Sequence, residues 1–175
     1  MSKIGKKNIS IPDNVSFSKK NDLLIVEGSL GKEEIQIPSY LQISIQDSFI
    51  SISPQDNVSN VKVQWGLYRS LINNAVIGVS QGFTTHLQLI GVGYKVNKVN
   101  DDLEFNLGYS HSIKFPSVKG ITYSVSSNVV SVSGINKQLV GQVTQSIIDL
   151  RKRDIYKGKG IYFKDQIIRK KQVKK

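Results

Sequence analysis

Apolar and polar residues alternate along four short stretches of the chain, which come in two closely spaced pairs. Residues 41–46 and 49–53 alternate on either side of Asp47-Ser48, and residues 121–126 and 129–133 do so around a second polar pair. A period of two is typical of a strand with one buried side and one solvent-facing side. The pattern therefore predicts two antiparallel hairpins, one in each half of the chain.

A helical period follows each predicted hairpin. In the first half, apolar residues recur at steps of three and four, at Val61, Trp65, Tyr68, Ile72, Ala75 and Val79. In the second half, the same steps join Val140, Val143, Ile147 and Leu150. These spacings place the side chains on one face of a helix. We expect Asn57 or Ser59 to cap the start of the first helix. Gly78 or Gly82 is expected to end it, and Asn136 is expected to cap the second helix.

The two halves form an internal repeat with an offset of 80 residues. Asp22-Leu-Leu-Ile-Val-Glu-Gly28 corresponds to Asp102-Leu-Glu-Phe-Asn-Leu-Gly108. Two further pairs keep this order: residues 50–53 with 130–133, and the proline-ended runs 34–38 with 112–116. With the helical pattern that follows, four elements in the same order indicate a duplicated structural unit.

The repeat predicts an α+β fold made of two homologous small domains. Each domain is expected to be an antiparallel sheet covered by one amphipathic helix, because the apolar face of the sheet must be buried. The expected divisions are an N-terminal domain at residues 1–82, a C-terminal domain at residues 83–153, and a basic C-terminal extension at residues 154–175.

Composition excludes several classes of function. The chain has no cysteine, so a disulfide framework and a thiolate metal site are excluded. No apolar run reaches the length of a membrane helix, and no apolar stretch follows the basic N-terminus as it would in a secretory signal. The two histidines, His86 and His111, lie apart from any catalytic or metal-binding motif. We therefore expect no catalytic site, no metal, no cofactor and no membrane partner.

Positive charge is concentrated at both ends of the chain. Of a formal net charge of +11, residues 1–20 carry +4 and residues 151–175 carry +9, while the residues between them are slightly acidic. Lysine outnumbers arginine by 20 to 4, which suits contact with phosphates more than reading of base edges. These charges predict binding of RNA or DNA mainly through backbone and shape.

The C-terminal segment combines cations with glycines and aromatic residues. Lys157 and Lys159 would point to the same side of an extended chain. Gly158 and Gly160 would let the backbone come close to a phosphate or a sugar. Tyr156, like the two later aromatic residues of the segment, is expected either to stack on a base or to pack under the domain. The cations expected to neutralise phosphates are Arg151, Lys152, Arg153, Lys157, Lys159, Lys164, Arg169, Lys170 and Lys171, with Lys3, Lys6 and Lys7 in a second cluster.

Two other classes of function stay open on these residues alone. The chain could be a protein-interaction module whose basic ends only aid solubility, since cations at a helix end also complement the helix dipole. An enzyme would have to depend on His86 or His111.

Six motifs in family order resemble the bacterial-type large-subunit ribosomal protein L6 family over nearly the full length. They are Met1-Ser-Lys-Ile-Gly-Lys-Lys, Arg69-Ser-Leu-Ile-Asn-Asn74, Gly78-Val-Ser-Gln-Gly82, Leu89-Ile-Gly-Val-Gly-Tyr-Lys95, Leu107-Gly-Tyr-Ser-His111 and Tyr156-Lys-Gly-Lys-Gly-Ile161. The chain departs from the family pattern at Asp154-Ile155, where prolines are usual, at Tyr162-Phe163, where Arg-Tyr is usual, and in its ending.

The resemblance implies binding to large-subunit ribosomal RNA near the sarcin–ricin loop and the stalk base. Neighbouring large-subunit ribosomal proteins and translational GTPases would lie nearby, and the N-terminal domain is expected to face proteins or solvent. In the family, the second domain and the C-terminal extension make most of the RNA contact. By motif, this implies RNA contacts from Gly91, Gly93, Tyr94, Lys95, Tyr109, His111 and residues 156–161. Of these, His111 is expected to donate a hydrogen bond at the surface.

The compartment is left open between an organelle and a bacterial cytoplasm. The chain is rich in Ile, Asn, Ser and Lys and poor in Arg, which suggests an AT-rich coding genome. On that basis we expect a ribosome in an organelle, with a mitochondrion favoured over a plastid, or in a bacterium.

Overall fold

The computed structural model describes residues 3–46, 49–54 and 59–172. These residues form two compact units, residues 1–82 and residues 83–175. No helix within the described ranges is long and apolar enough to cross a bilayer.

The first unit consists of two three-stranded antiparallel sheets and one long helix. Its elements are β1 (Ile9–Ser10), β2 (Ser16–Lys20), β3 (Leu23–Gly28), β4 (Gly31–Gln36), β5 (Leu41–Ile45), β6 (Phe49–Pro54) and α1 (Ser59–Ser80). The strand orders are β2-β3-β4 and β1-β6-β5. Alternate residues of β3 and β6, such as Leu24 and Ile50, are fully buried, and α1 packs against both strands.

The second unit repeats this plan and adds one strand after its helix. Its elements are β7 (Phe83–Ile90), β8 (Lys95–Val99), β9 (Asp102–Asn106), β10 (Ile113–Phe115), β11 (Ile121–Ser126), β12 (Val129–Gly134), α2 (Lys137–Asp149) and β13 (Gly160–Phe163). One sheet has the order β10-β9-β8 and the other has the order β11-β12-β7-β13. A single apolar core includes Phe105, Val130 and Ile147.

The α+β fold predicted from the repeat is confirmed, and its parts correspond in order. The strand β3 matches β9, β4 matches β10, and the hairpin β5–β6 matches β11–β12. Both predicted hairpins are antiparallel, with Ile45 opposite Ile50 in the first and Val125 opposite Val130 in the second. The turn predicted at Asp47-Ser48 lies outside the described residues.

The predicted helix faces are the buried faces. The buried side chains are Val61, Trp65, Ile72, Ala75 and Val79 along α1, and Val140, Val143 and Ile147 along α2. The two remaining predicted positions, Tyr68 and Leu150, are half-buried. The predicted cap of α2 is confirmed, because the Asn136 Oδ1 atom accepts a hydrogen bond of 3.0 Å from the Leu139 N–H.

Gly82 ends α1, as one of the two predicted alternatives. Its φ is +73°, and its N–H donates to the carbonyls of Ile77 and Gly78, which is a typical glycine C-terminus. Gly78 lies inside the helix. Of the two residues predicted to cap the start, Asn57 lies outside the described residues and only the backbone of Ser59 is described.

Part of the expected C-terminal extension belongs to the second unit's sheet. Residues 160–163 form β13, which pairs antiparallel with the second half of β7, and Ile161 lies opposite Leu89 in the buried core. The period-two pattern is too short here to predict a strand. The segment that carries the C-terminal cations is therefore joined to the sheet through β13.

Candidate nucleic-acid interface

The interface begins where α2 ends, at a contact between a cation and an aromatic ring. The guanidinium carbon of Arg151 lies 4.4 Å from the centroid of the Tyr109 ring. The Tyr109 hydroxyl donates to the carbonyl of Leu150 at 3.3 Å, which fixes the ring beside the helix end. A hydrogen bond with Tyr109, supported by the nearby Tyr94, raises the pKa of Arg151 above its ordinary value. The positive charge is thus held in place without a carboxylate.

A closed turn follows at residues 154–159, and Asp154 organises it. The Asp154 Oδ1 atom accepts hydrogen bonds from the N–H groups of Tyr156 at 2.9 Å and Lys157 at 3.1 Å. The Asp154 N–H donates to the carbonyl of Lys159 at 2.9 Å, and the Gly158 N–H donates to the carbonyl of Asp154 at 2.8 Å. The two amide donors, together with the ammonium groups of Lys157 and Lys159, hold the pKa of Asp154 below its ordinary value.

Both glycines of this segment serve the packing of the chain itself. Gly158 has a φ of +71°, a conformation that glycine adopts without steric cost. At Gly160 a Cβ atom would lie 3.2 Å from the Cα of Arg153 and 3.4 Å from the ring of Tyr162. Both glycines are buried. This corrects the expectation that they leave the backbone open to a phosphate or a sugar.

The extended conformation expected for Lys157 and Lys159 is also wrong. Residues 155–157 form a turn, so Lys157 projects from an exposed loop while Lys159 is half-buried. The turn was not predicted because Asp154 was considered only as a departure from the family pattern. Aspartate is a typical turn residue, since its side chain accepts hydrogen bonds from backbone N–H groups shortly after it, and Asp154 offered that signal.

Arg153 links this turn to β13. Its Nε–H donates to the carbonyl of Ile161 at 3.1 Å, and its guanidinium carbon lies 5.1 Å from the centroid of the Tyr162 ring. Tyr162 is buried, so this ring packs within the unit. Tyr156 is 59% exposed and keeps a free ring face for stacking.

The chain after β13 turns back onto the same loop. The Lys164 N–H donates to the carbonyl of His86 at 3.0 Å, and the Lys171 N–H donates to the carbonyl of Ile155 at 3.1 Å. A Cβ atom on Gly158 would lie 2.7 Å from the side chain of Lys170. The backbone of Lys164 is therefore tied to β7 and that of Lys171 to the loop, while the side chain of Lys170 lies beside Gly158.

The two glycine-tyrosine motifs meet at one ring. Tyr94 is buried, and a Cβ atom on Gly91 would lie 2.9 Å from this ring. On Gly108, which has a φ of +76°, a Cβ atom would lie 3.5 Å from it. The side chain of Tyr94 thus supports two loops from inside, and the RNA contact that the resemblance implies for Tyr94 stays a prediction. Gly93 has a φ of +79° and an open surface around it.

The remaining predicted residues are mostly at the surface. Lys95, Tyr109, His111, Lys152, Lys157, Lys164, Arg169, Lys170 and Lys171 are exposed, whereas Arg151, Arg153, Lys159 and Gly91 are half-buried. Lys3, Lys6 and Lys7 are exposed on the first unit. Among the described side chains none of these interface cations forms a salt bridge with a carboxylate, and Asp154 is the carboxylate that interacts electrostatically with Lys157 and Lys159. Their charge is available to an external anion.

The described part of the chain offers no cluster of side chains for a metal ion. It contains no group of three or more His, Asp or Glu side chains placed to hold a metal ion. The Nδ1 atom of His86 lies 2.8 Å from the Ser131 hydroxyl on the exposed face of the four-stranded sheet. Ser131 lies directly opposite His86 on the neighbouring strand β12, which makes the two an ordinary cross-strand surface pair.

Comparison with known proteins identifies the family. The sequence matches the family model described as ribosomal protein L6 at residues 11–82 and 90–164. The chain belongs to this family. Its relatives include the large ribosomal subunit protein uL6 of Clostridium acetobutylicum, which is 42% identical over 99% of this chain and 98% of its own length. The uL6 protein of Helicobacter hepaticus is 38% identical over 98% of this chain and 96% of its own length.

Membership in the ribosomal protein L6 family settles the class of function. The family is structural and non-enzymatic, which confirms the prediction that the chain is a structural ribosomal protein and not an enzyme. The boundary between the two matched segments falls inside β7.

Proposed function

We propose that this chain is a component of the large ribosomal subunit and binds its RNA near the sarcin–ricin loop and the stalk base. The second unit makes most of the contact, and neighbouring ribosomal proteins and translational GTPases lie close by. The observation that carries this proposal is the set of unpaired cations arranged around the closed turn 154–159. The motif resemblance supplies the location on the RNA.

The chemistry of the site fits phosphate better than base edges. Lys152, Lys157 and Lys164 are exposed ammonium groups, which act as point charges toward phosphate oxygens. The exposed ring of Tyr156 offers a surface on which an unpaired base can stack, whereas the Arg151 guanidinium already lies over the Tyr109 ring. The turn is closed by its own hydrogen bonds, so its backbone loses little conformational entropy when RNA binds. A preordered surface of this kind binds more tightly than a flexible one with the same charges.

Salt dependence of binding tests this proposal directly. The triple variant Lys152→Gln, Lys157→Gln and Lys164→Gln keeps every backbone hydrogen bond of the turn. Each lost phosphate contact lowers the slope of log K against log salt by about 0.7 to 0.9. The triple variant should therefore lower the slope by about 2 to 3 on a large-subunit RNA fragment that contains the sarcin–ricin loop.

A matched variant controls for the loss of net charge. Lys114→Gln, Lys119→Gln and Lys137→Gln remove the same charge from exposed positions outside the interface, and the slope should stay unchanged. Equal effects of the two triple variants would contradict the proposed site. A pull-down with and without nuclease addresses the alternative, since a partner set indifferent to nuclease would favour a protein-interaction module.

The compartment is a separate part of the proposal. The relatives compared above are bacterial, and they fit a bacterial ribosome. The preference for a mitochondrion has only the AT-rich composition behind it. Sedimentation of the tagged chain with large ribosomal particles from cell fractions is the measurement that decides.

A further inference from the structure

A short basic turn at the start of the first unit is fixed to the body of that unit. Residues 3–7 form a turn in which the Lys7 N–H donates to the carbonyl of Ile4 at 3.2 Å. The guanidinium of Arg69, on α1, donates from Nε to the carbonyl of Lys7 and from Nη2 to the carbonyl of Asn8, each at 3.2 Å. One arginine thus holds two consecutive carbonyls of the segment.

A second contact fixes the turn against the indole of α1. A Cβ atom on Gly5 would lie 2.6 Å from the Cδ2 atom of Trp65, so the backbone at Gly5 packs directly on the ring. The ring is itself held, because Trp65 Nε1–H donates to the carbonyl of Ile52 at 2.6 Å. Ile9 then continues the chain into β1, opposite Ile50 of β6. The turn is anchored on both sides.

The charge of this segment is not compensated by the protein. Lys3, Lys6 and Lys7 are exposed, residues 3–10 contain no acidic residue, and no carboxylate within the described ranges pairs with these lysines. Arg69 donates its hydrogen bonds to neutral backbone carbonyls, so its positive charge adds to that of the three lysines. Four cations are therefore held together without counterions from the described part of the chain.

We infer that this N-terminal turn, with Lys3, Lys6, Lys7 and Arg69, is a second phosphate-binding surface for RNA on the first unit. Lys3, Lys6 and Lys7 contact phosphates. Arg69 is a positioning residue that fixes the turn from which they project. The identity of the polyanion as ribosomal RNA rests on the proposed function. The surface itself stands on the anchoring contacts and the uncompensated charge.

Two kinds of variant of the full chain separate charge from position. The triple variant Lys3→Gln, Lys6→Gln and Lys7→Gln should lower the salt slope of binding to large-subunit RNA by about 2 to 3. Arg69→Lys keeps the charge but cannot donate the same two-bond fork, and Gly5→Ala keeps the charge but displaces the turn from Trp65. Each of these should weaken binding about 3- to 10-fold, because the cations must then be ordered on binding.

A purely electrostatic role predicts no change for Arg69→Lys, so unchanged affinity for both single variants overturns the positioning role. Hydrogen exchange at the Lys7 amide should rise in both, and thermal unfolding of each variant reports whether the unit stays folded. The triple variant at Lys114, Lys119 and Lys137 again controls for net charge.

The outcome also distinguishes this inference from the proposed function. If the triple variant around residues 152–164 lowers RNA affinity and the N-terminal one does not, the second surface is wrong and the proposed function stands. If neither triple variant lowers RNA affinity, both the second surface and the proposed function are wrong. If the wild-type chain binds polyglutamate and the N-terminal triple variant does not, while both bind RNA equally well, the inference is overturned in favour of an acidic protein partner.

Discussion

The buried ring of Tyr94 makes Gly91→Ala a sensitive test of how the second unit is built. A Cβ atom at this position would lie 2.9 Å from two atoms of the ring, a distance at which the ring or the backbone has to move. The ring also lies close to Gly108, which restricts how far it can shift. Overpacking of this kind costs about 1 to 3 kcal/mol.

Thermal unfolding followed by calorimetry measures this cost. For a domain of about 60–100 residues, each kcal/mol lowers Tm by about 4 to 8 °C, so the second unit's transition should fall clearly in Gly91→Ala. Gly141→Ala is the matched control, since a Cβ atom there meets nothing within 4 Å. On an exposed helical position this control should stabilise the unit by about 0.5 to 1 kcal/mol.

A double-mutant cycle shows whether the ring is the cause. In a Tyr94→Ala background the methyl group introduced at position 91 has no ring to meet. Its cost should then largely disappear, and the coupling between the two substitutions should be about 1 to 3 kcal/mol. An unchanged Tm for Gly91→Ala, or an equal cost with and without the ring, would refute the reasoning.

Three further predictions concern single contacts. Trp65→Phe leaves the buried carbonyl of Ile52 without its donor, and urea unfolding should show a loss of about 1 to 3 kcal/mol. Gly28→Ala places a Cβ atom 2.7 Å from the carbonyl of Val79 and should lower the Tm of the first unit, whereas wild-type stability would contradict the close contact. The pKa of Asp154 is lowered in the folded chain, so its contribution to stability is present above the unfolded pKa of about 3.9 and is lost as pH falls through the folded value. NMR shifts of the two amides bonded to its carboxylate should move in that acidic range, and Asp154→Asn should abolish the movement.

The sequence predicted the repeated parts of the fold because those parts follow local periods. The alternation in β5 and β6, the spacing from Val140 to Ile147 and the cap at Asn136 each depend on residues close together in the chain. Such signals survive in a single sequence, since one buried face imposes a fixed spacing. The two-residue strand β1 gave no such signal.

The interface was harder to predict because its residues meet through distant pairings. Charge alone is enough to predict that basic residues such as Lys152 and Lys157 lie at the surface, and both are exposed. The roles of Gly160 and Tyr94 depend on neighbours that no local pattern reveals, namely Arg153 and Gly91. Arg69 carried no signal of its anchoring role, since its two acceptors are backbone carbonyls more than 60 positions away.

The pairing of β13 with β7 has a kinetic consequence. Ile161 must find Leu89 across most of the second unit's length, and contacts between such distant residues form slowly because a long loop has to close first. The cations around residues 154–164 acquire their arrangement only when that closure is complete. Newly made or partly unfolded chains therefore carry the same charge without the same arrangement of cations, and the rate of the proposed RNA binding during refolding should report the closing of this strand pair.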